Sequence, residues 1–289
     1  MILICDVSNI AFVKRHGIFP RNEKKVQDYA KEYLIQEVIK DILYTASKYN
    51  AERLVLAFDS KNTWRKEMYS NYKDNRDVEF DIYKEVVIDA LADLHWFFDS
   101  ATNALSLKVE RCEADDVIYG VTQRFKDEDK VILSRDRDFI QLIDDKTKLY
   151  DPVGKAERHS ENPDLDLFIK CMRGDKGDNI FSAYPRVRET KLKEAYEDPL
   201  KKMNLLEEKR KVDGERVKEH YEFNRDLIDL TRIPQEYYDA IQSEIDSQLN
   251  KEGYGYAKTL KAFGKIGLKN FINNNNNLNL NILKSSWDV

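Results

Sequence analysis

Residues 1–9, MILICDVSN, run an apolar segment, Ile2–Cys5, straight into an acid, Asp6. A run that is apolar at every position, with no polar alternation, reads as a strand buried on both faces, as in a parallel sheet. Residues 53–60, RLVLAFDS, repeat the arrangement, with the strand Arg53–Phe58 leading into Asp59. Between them Lys24–Tyr49 has helical periodicity, with Val26, Ala30, Leu34, Val38, Ile42 and Ala46 on one stripe. Asp81–Phe98 repeats that stripe with Ile82, Val86, Ala90 and Leu94. Ser106–Val109, Lys130–Ser134 and Thr147–Tyr150 read as further strands, and Glu113–Phe125 as a helix that opens on acids, as its dipole prefers. Strands alternating with helices predict an α/β fold, a mostly parallel central sheet flanked by helices. Ligands of such sheets bind beyond the carboxyl ends of the strands.

Nine carboxylates gather there or nearby: Asp6, Asp59, Glu113, Asp115, Asp116, Asp136, Asp138, Asp175 and Asp178. A dry cluster of like charges must take up protons or cations. Any one of these acids alone reads as a helix cap or turn residue; an acid at every strand end does not. Carboxylates without histidine or cysteine suit magnesium or manganese rather than zinc, and a pair of such ions can clamp both oxygens of an in-line phosphoryl displacement. The chain has four histidines, none in these patches, and a net charge of -5. Without the nine acids the remainder is slightly basic, which suits a metal site that handles phosphates.

Other classes are disfavoured. Cys5, Cys112 and Cys171 have neither zinc nor disulfide spacing and read as reduced thiols of a cytoplasmic protein. The opening residues resemble no signal peptide, and no apolar run approaches a membrane span. There is no phosphate-cradling GxxxxGK loop, and Ser8 stands where an aspartyl phosphatase would want a second acid.

Asp6 in CDVSN, Asp59 in AFDS, EADD at 113–116, SRDRD at 134–138 and GDKGDNI at 174–180 resemble, in order and spacing, the motifs of the 5′ nuclease (flap endonuclease) superfamily. The resemblance spans about residues 1–195, and the C-terminal half looks most like the T-even phage ribonuclease H branch. It implies that Asp6, Asp59, Glu113 and Asp115 serve one Mg2+ ion, with Asp115 bridging. Asp136, Asp138 and Asp175 would serve a second, with Mn2+ able to substitute. Asp116 and Asp178 match positions that act directly or through water, and the residues leave that choice open.

The segment 61–76, KNTWRKEMYSNYKDNR, interleaves five basic residues with Trp64, Tyr69 and Tyr72. Such a mixture suits phosphates and single-stranded bases, and its spacing sets Arg65, Tyr69, Tyr72, Lys73 and Arg76 along one helical side. An amphipathic helix with core aromatics is the plain alternative. In the family this is the arch, here at about 61–80, and YKDNR resembles its YKGNR pattern. Lys73 and Arg76 would then contact the scissile phosphate, with Arg65 and Tyr72 steering the strand. Low apolar content predicts an arch that is mobile without DNA.

After GDxxDN the family usually has a glycine-rich hairpin that grips duplex phosphates through backbone amides. Here FSAYPRVRETKLKEAY (181–196) lacks those glycines, leaving Arg186, Arg188, Lys191 and Lys193 as side-chain phosphate contacts or as an ordinary charged loop. The expected division is an α/β catalytic domain, 1–180, and a helical DNA-binding subdomain, 181–289. The latter would hold one or two helices in Lys201–Leu230, another in Gln235–Leu249, and a tail with the Asn-rich run FINNNNNLNLN. Residues 254–271, with four lysines, read either as a second phosphate-facing surface or as a solvated helix. The last residues, ILKSSWDV, read as a docking peptide or a frayed end.

The resemblance implies a 5′→3′ exonuclease and flap endonuclease acting on DNA and RNA/DNA hybrids. It would remove RNA primers in lagging-strand replication as a monomer, in a host-cell cytoplasm if phage-encoded. A sliding clamp and a single-strand-binding protein are the partners that role implies. The competing expectations are a PIN-like single-strand ribonuclease and a catalytically silent DNA-binding module.

Overall fold

A computed structural model describes residues 1–19, 25–75, 82–251, 253–268, 271, 280–284 and 287. Among them six strands form one sheet: β1 (Ile2–Asp6), β2 (Arg53–Ala57), β3 (Leu105–Leu107), β4 (Lys130–Leu133), β5 (Thr147–Asp151) and β6 (Ala156–Arg158). Their spatial order is β3-β2-β1-β4-β5-β6. The first five are parallel and β6 pairs antiparallel to β5. The chain winds outward from β1 through β2 to β3, then crosses back to place β4 on the other side of β1. That reversal opens a crevice at the carboxyl ends of β1 and β4, where α/β sheets bind their ligands.

The strand residues divide between two cores by the period-2 rule. Leu3, Cys5, Leu54, Leu56, Val131 and Leu133 face α1 (Val7–Ile18), α2 (Ala30–Lys48) and α4 (Lys84–Ala101). Ile2, Ile4, Val55, Leu107, Ile132 and Leu149 face α5 (Ala114–Arg124) and α10 (Gln235–Leu249). Helix α1, which the sequence reading passed over, starts because Asp6 caps it by accepting the Asn9 N–H at 3.0 Å. A third core joins α6 (Pro163–Arg173), α7 (Glu189–Glu197), α8 (Pro199–Glu207) and α9 (Val217–Ile228) through Phe168, Met172, Leu192, Leu205 and Val217.

The helices expected over 181–289 are present among the described residues, but they do not all share one core. Helix α10 lies on the sheet side, so close to α5 that a Cβ on Gly120 would stand 2.5 Å from Ile241 Cγ2. Helix α11 (Tyr256–Lys265) packs on α4 through Ala262 and Phe263, and Ile282 and Leu283 are buried in the same core. Trp287 donates its indole N–H to Asn103 O at 3.0 Å. The helices that form a separate core therefore lie between Pro163 and Ile228. Most of the Asn-rich run lies outside the described residues. All three cysteines are buried and free, and no helix among the described residues is long and apolar enough to cross a membrane.

The arch also differs. One short helix, α3 (Trp64–Met68), is followed by turns, and Lys73 takes a left-handed backbone at φ 58°. The expected single helical side through Arg76 is not formed within residues 64–75. Trp64, Arg65 and Tyr72 are buried, so these residues pack down rather than standing free.

Candidate active site

Asp6 ends β1 and is almost wholly buried. Its Oδ2 accepts the Ser134 hydroxyl at 2.9 Å, and Ser134 Oγ accepts the Asp136 N–H at 3.0 Å. The carboxyl ends of β1 and β4 are thus tied together across the switch point. Asp59, just past β2, donates its N–H to Ser8 Oγ (3.1 Å) and accepts the Ala114 N–H at 2.8 Å, which fixes the start of α5 over the site. Burial, then Asp59 and Asp136, push the Asp6 carboxyl up to about 8. Burial, then Asp136 and Asp6, push Asp115 well above the usual carboxylate range. Asp59 and Asp136 act on Asp6, and Asp136 and Asp6 act on Asp115, so the four acids share one pit.

A second group adjoins it. Asp138, Asp175 and Asp178 each bring one oxygen to within 4.8 Å of the others. Asp136 Oδ1 accepts the Asp138 N–H (2.9 Å), and the Asp136 charge helps raise the Asp138 carboxyl, which burial raises most. Asp175 accepts the Gly177 N–H at 2.7 Å; burial would raise its carboxyl, but Lys170 holds it below the usual range.

Lys170 is the residue the sequence reading missed. It bridges this group, bonded to Asp138 Oδ1 and lying 2.9 Å from Asp175 Oδ2. The available signal was a lysine five residues before Asp175 on a helix whose neighbours, Ile169, Cys171 and Met172, are apolar.

Glu113 lies at the N-terminus of α5, between the pit and the arch. Its Oε2 accepts the Tyr72 hydroxyl (2.9 Å) and its Oε1 the Lys73 ammonium (2.5 Å). Burial favours its neutral form, but Lys73 and Arg65 outweigh burial and hold Glu113 below the usual range. Tyr72 also reaches Asp178 Oδ2 at 3.3 Å, and the Lys73 N–H donates to Asp178 O at 3.0 Å. The arch is therefore laced to both groups.

Asp116 points away from the pit. Its Oδ2 accepts Arg65 Nη1 (2.9 Å), Trp64 Nε1 (3.1 Å) and the Glu113 N–H (2.9 Å), the last being one arm of a capping box. Arg65 Nη2 lies 2.8 Å from Asp116 Oδ1, an ion-pair contact rather than an aligned hydrogen bond. Arg65 Nε donates to Leu227 O at 2.8 Å. The expectation that Arg65 steers the strand is corrected: its guanidinium is buried, clamping α5 to α9. Asp116 is likewise engaged by Arg65, Trp64 and the Glu113 N–H. Tyr72 is buried too, with its hydroxyl committed to the acids.

Among the remaining expected contacts, Arg186 and Arg188 are exposed. Lys191 pairs with Glu208 (2.8 Å) and Lys193 with Glu189 (3.0 Å). Arg76 lies outside the described residues. The all-oxygen donor set, in which burial and then neighbouring acids raise Asp6, Asp115 and Asp138, fits hard divalent cations, which would relieve that repulsion.

Residues 1–166 match the profile of the 5′-3′ exonuclease N-terminal, resolvase-like domain, and the chain belongs to that family. It is 32% identical over 148 residues to a 5′-3′ exonuclease of Mycoplasmopsis pulmonis (45% of this chain, 46% of the relative). It is 27% identical over 202 residues to ribonuclease H of Enterobacteria phage T4 (64% of each). The chain thus spans about half to two thirds of the length of these relatives. In fold it is similar to the bacteriophage T5 flap endonuclease, solved in complex with DNA and metal ions. The TM-score is 0.66 at 19% identity, covering 86% of this chain and 98% of that one.

Proposed function

We propose that this chain is a magnesium-dependent, structure-specific 5′ nuclease, a 5′→3′ exonuclease and flap endonuclease on DNA and RNA/DNA hybrids. The observation that carries the reading is the meeting of two carboxylate groups, joined through Asp136, at the crevice between β1 and β4, with an arch lysine resting on one of the acids. Asp6, Asp59, Glu113 and Asp115 would hold one divalent ion, and Asp136, Asp138, Asp175 and Asp178 the other. When bound, such ions lower the pKa of a water and neutralise charge on the phosphodiester. Lys73 would leave Glu113 for the scissile phosphate, where its charge counts most in the transition state. Arg76, Arg186 and Arg188 would hold flanking phosphates, positioning the substrate without reading its sequence.

The reading assigns removal of RNA primers during lagging-strand replication, by a monomer, with a sliding clamp and a single-strand-binding protein as partners. The test uses a 5′-labelled RNA–DNA hybrid and a 5′-flap duplex, with magnesium or chelator, comparing wild type and Asp136→Asn. Magnesium-dependent release of short 5′ fragments, lost in the variant, is expected. Structure-selective binding without cleavage in magnesium or manganese would refute the nuclease reading in favour of a DNA-binding module.

A further inference from the structure

Phe181 stands three residues beyond Asp178 and leaves 69% of its surface in water. Single exposed apolar residues are common on proteins, but the mounting of this one is unusual. Its carbonyl accepts Asn224 Nδ2 at 2.8 Å, and the same buried amide donates to Cys171 O at 2.8 Å. The residue before it, Ile180, exchanges two backbone hydrogen bonds with Asp175 (2.9 and 2.7 Å). The residue after it, Ser182, donates its hydroxyl to Met172 O at 3.1 Å. Gly174, at φ 70°, lets this strand approach: a Cβ there would lie 2.4 Å from Ile180 O and 2.6 Å from Phe181 C. The backbone on both sides is fixed while the ring projects into solvent.

Two further aromatics border the same hairpin. The Tyr69 hydroxyl donates to Asn179 O at 3.2 Å, and its ring meets Phe223 edge-on at 5.4 Å. Phe223, next to Asn224, is itself 36% exposed. Arg186 and Arg188 are exposed a few residues further along. A fixed, exposed ring next in chain to the candidate site, with exposed arginines a few residues on, has the composition of a single-strand platform, where bases stack and cations track the backbone.

We propose that Phe181 is a stacking platform for one unpaired nucleobase of the substrate strand, at the lip of the site beside Asp175 and Asp178. The proposal rests on the nuclease reading above and adds a base-contacting subsite to it. Stacking accepts the π-face of any base, so the subsite senses whether a base is present and unpaired, not which base it is.

The test measures binding of the full chain, in chelator so that nothing is cleaved, to duplexes with a 5′ single-stranded arm. The arms carry natural bases or abasic residues at successive positions. Wild type should prefer the natural arm at one or two positions near the junction. Phe181→Ala should weaken binding to the natural arm about 5- to 150-fold and erase that preference. Phe181→Leu, which keeps bulk without a π-face, should behave like the alanine variant, while Phe181→Trp should retain the preference. Equal binding by Phe181→Ala and wild type on both arms would overturn the proposal. So would an equal loss on natural and abasic arms, or full retention by Phe181→Leu. A parallel assay of wild type in magnesium separates the two readings. Cleavage without base sensitivity overturns the platform alone, whereas absence of both cleavage and arm binding overturns the nuclease reading with it.

Discussion

Arg65→Met tests the clearest departure of the structure from the sequence. The Arg65 side chain is 3% exposed and that of Asp116 is fully buried. Substitution removes two guanidinium contacts to Asp116, one to Glu113 (3.2 Å) and one to Leu227 O. It leaves the Asp116 carboxylate with only the Trp64 and Glu113 N–H donors among these contacts. Removing one partner of a buried ion pair costs about 3–5 kcal/mol, because the other charge stays buried without compensation. At about 2–4 °C per kcal/mol, the melting temperature should fall by roughly 6–20 °C. Adding Asp116→Asn should recover at least about 2 kcal/mol, since a neutral amide oxygen still accepts from Trp64 and Glu113 and no charge is stranded. Residual loss at Leu227 O, left without its donor, should be about 1 kcal/mol. The assay is denaturant unfolding of the metal-free protein followed by circular dichroism, beside flap-duplex binding. A single variant within about 1 kcal/mol of wild type would refute the reasoning. So would a double variant no more stable than the single one, or a loss of DNA affinity at unchanged stability.

The raised Asp6 and Asp115 carboxyls hold protons in the folded, metal-free protein that the same groups lose in the unfolded chain. For Asp6 this holds between its ordinary value of 3.8 and about 8. The Asp6 contribution to metal-free stability should therefore fall as pH rises through that window, and Asp6→Asn should remove that downward component of the slope. Unfolding midpoints in chelator across pH 4–8 check this, and an unchanged slope in the variant would contradict it. Magnesium uptake near pH 7 should release protons, seen as a dependence of the binding heat on the buffer's ionisation enthalpy. Lys170→Met should lower metal-free stability by about 1.5–3 kcal/mol, the worth of a hydrogen bond to a charged group. It should also tighten divalent-ion binding at Asp138, Asp175 and Asp178, because no ammonium must be displaced. Calorimetric titration with magnesium showing unchanged or weaker binding would instead make Lys170 an organiser of these ligands.

The parallel sheet and its acid-tipped strands were legible because each depends on a few consecutive residues. An apolar run such as Ile2–Cys5 has no stable place except a two-sided core, and an acid directly after it must emerge at the strand's carboxyl end. The strand register then carries Asp6, Asp59 and Asp136 to one edge without further information. Helix α1 was missed although its signal was local, with Asp6 as cap and Val7, Ile10 and Ala11 at helical spacing.

What the sequence could not assign was which partner each charged or aromatic side chain would meet. Arg65 and Lys73 lie in one basic segment and look alike in sequence, yet Arg65 is sealed against Asp116 and Leu227 O while Lys73 reaches Glu113 beside the pit. Asp115 and Asp116 are neighbours, but helical geometry turns one into the pit and the other toward Trp64 and Arg65. Lys170 meets Asp138 from across 32 residues, and α10 settles on α5 only because Gly120 leaves room for Ile241. The sequence by itself determined the sheet, the edge of the sheet where chemistry gathers, and the hard-cation character of that edge, since periodicity and residue type are local properties. The tertiary structure alone decided which acids stay open to that edge and which are spent on holding the arch, because burial and ion pairing depend on residues brought together from distant parts of the chain.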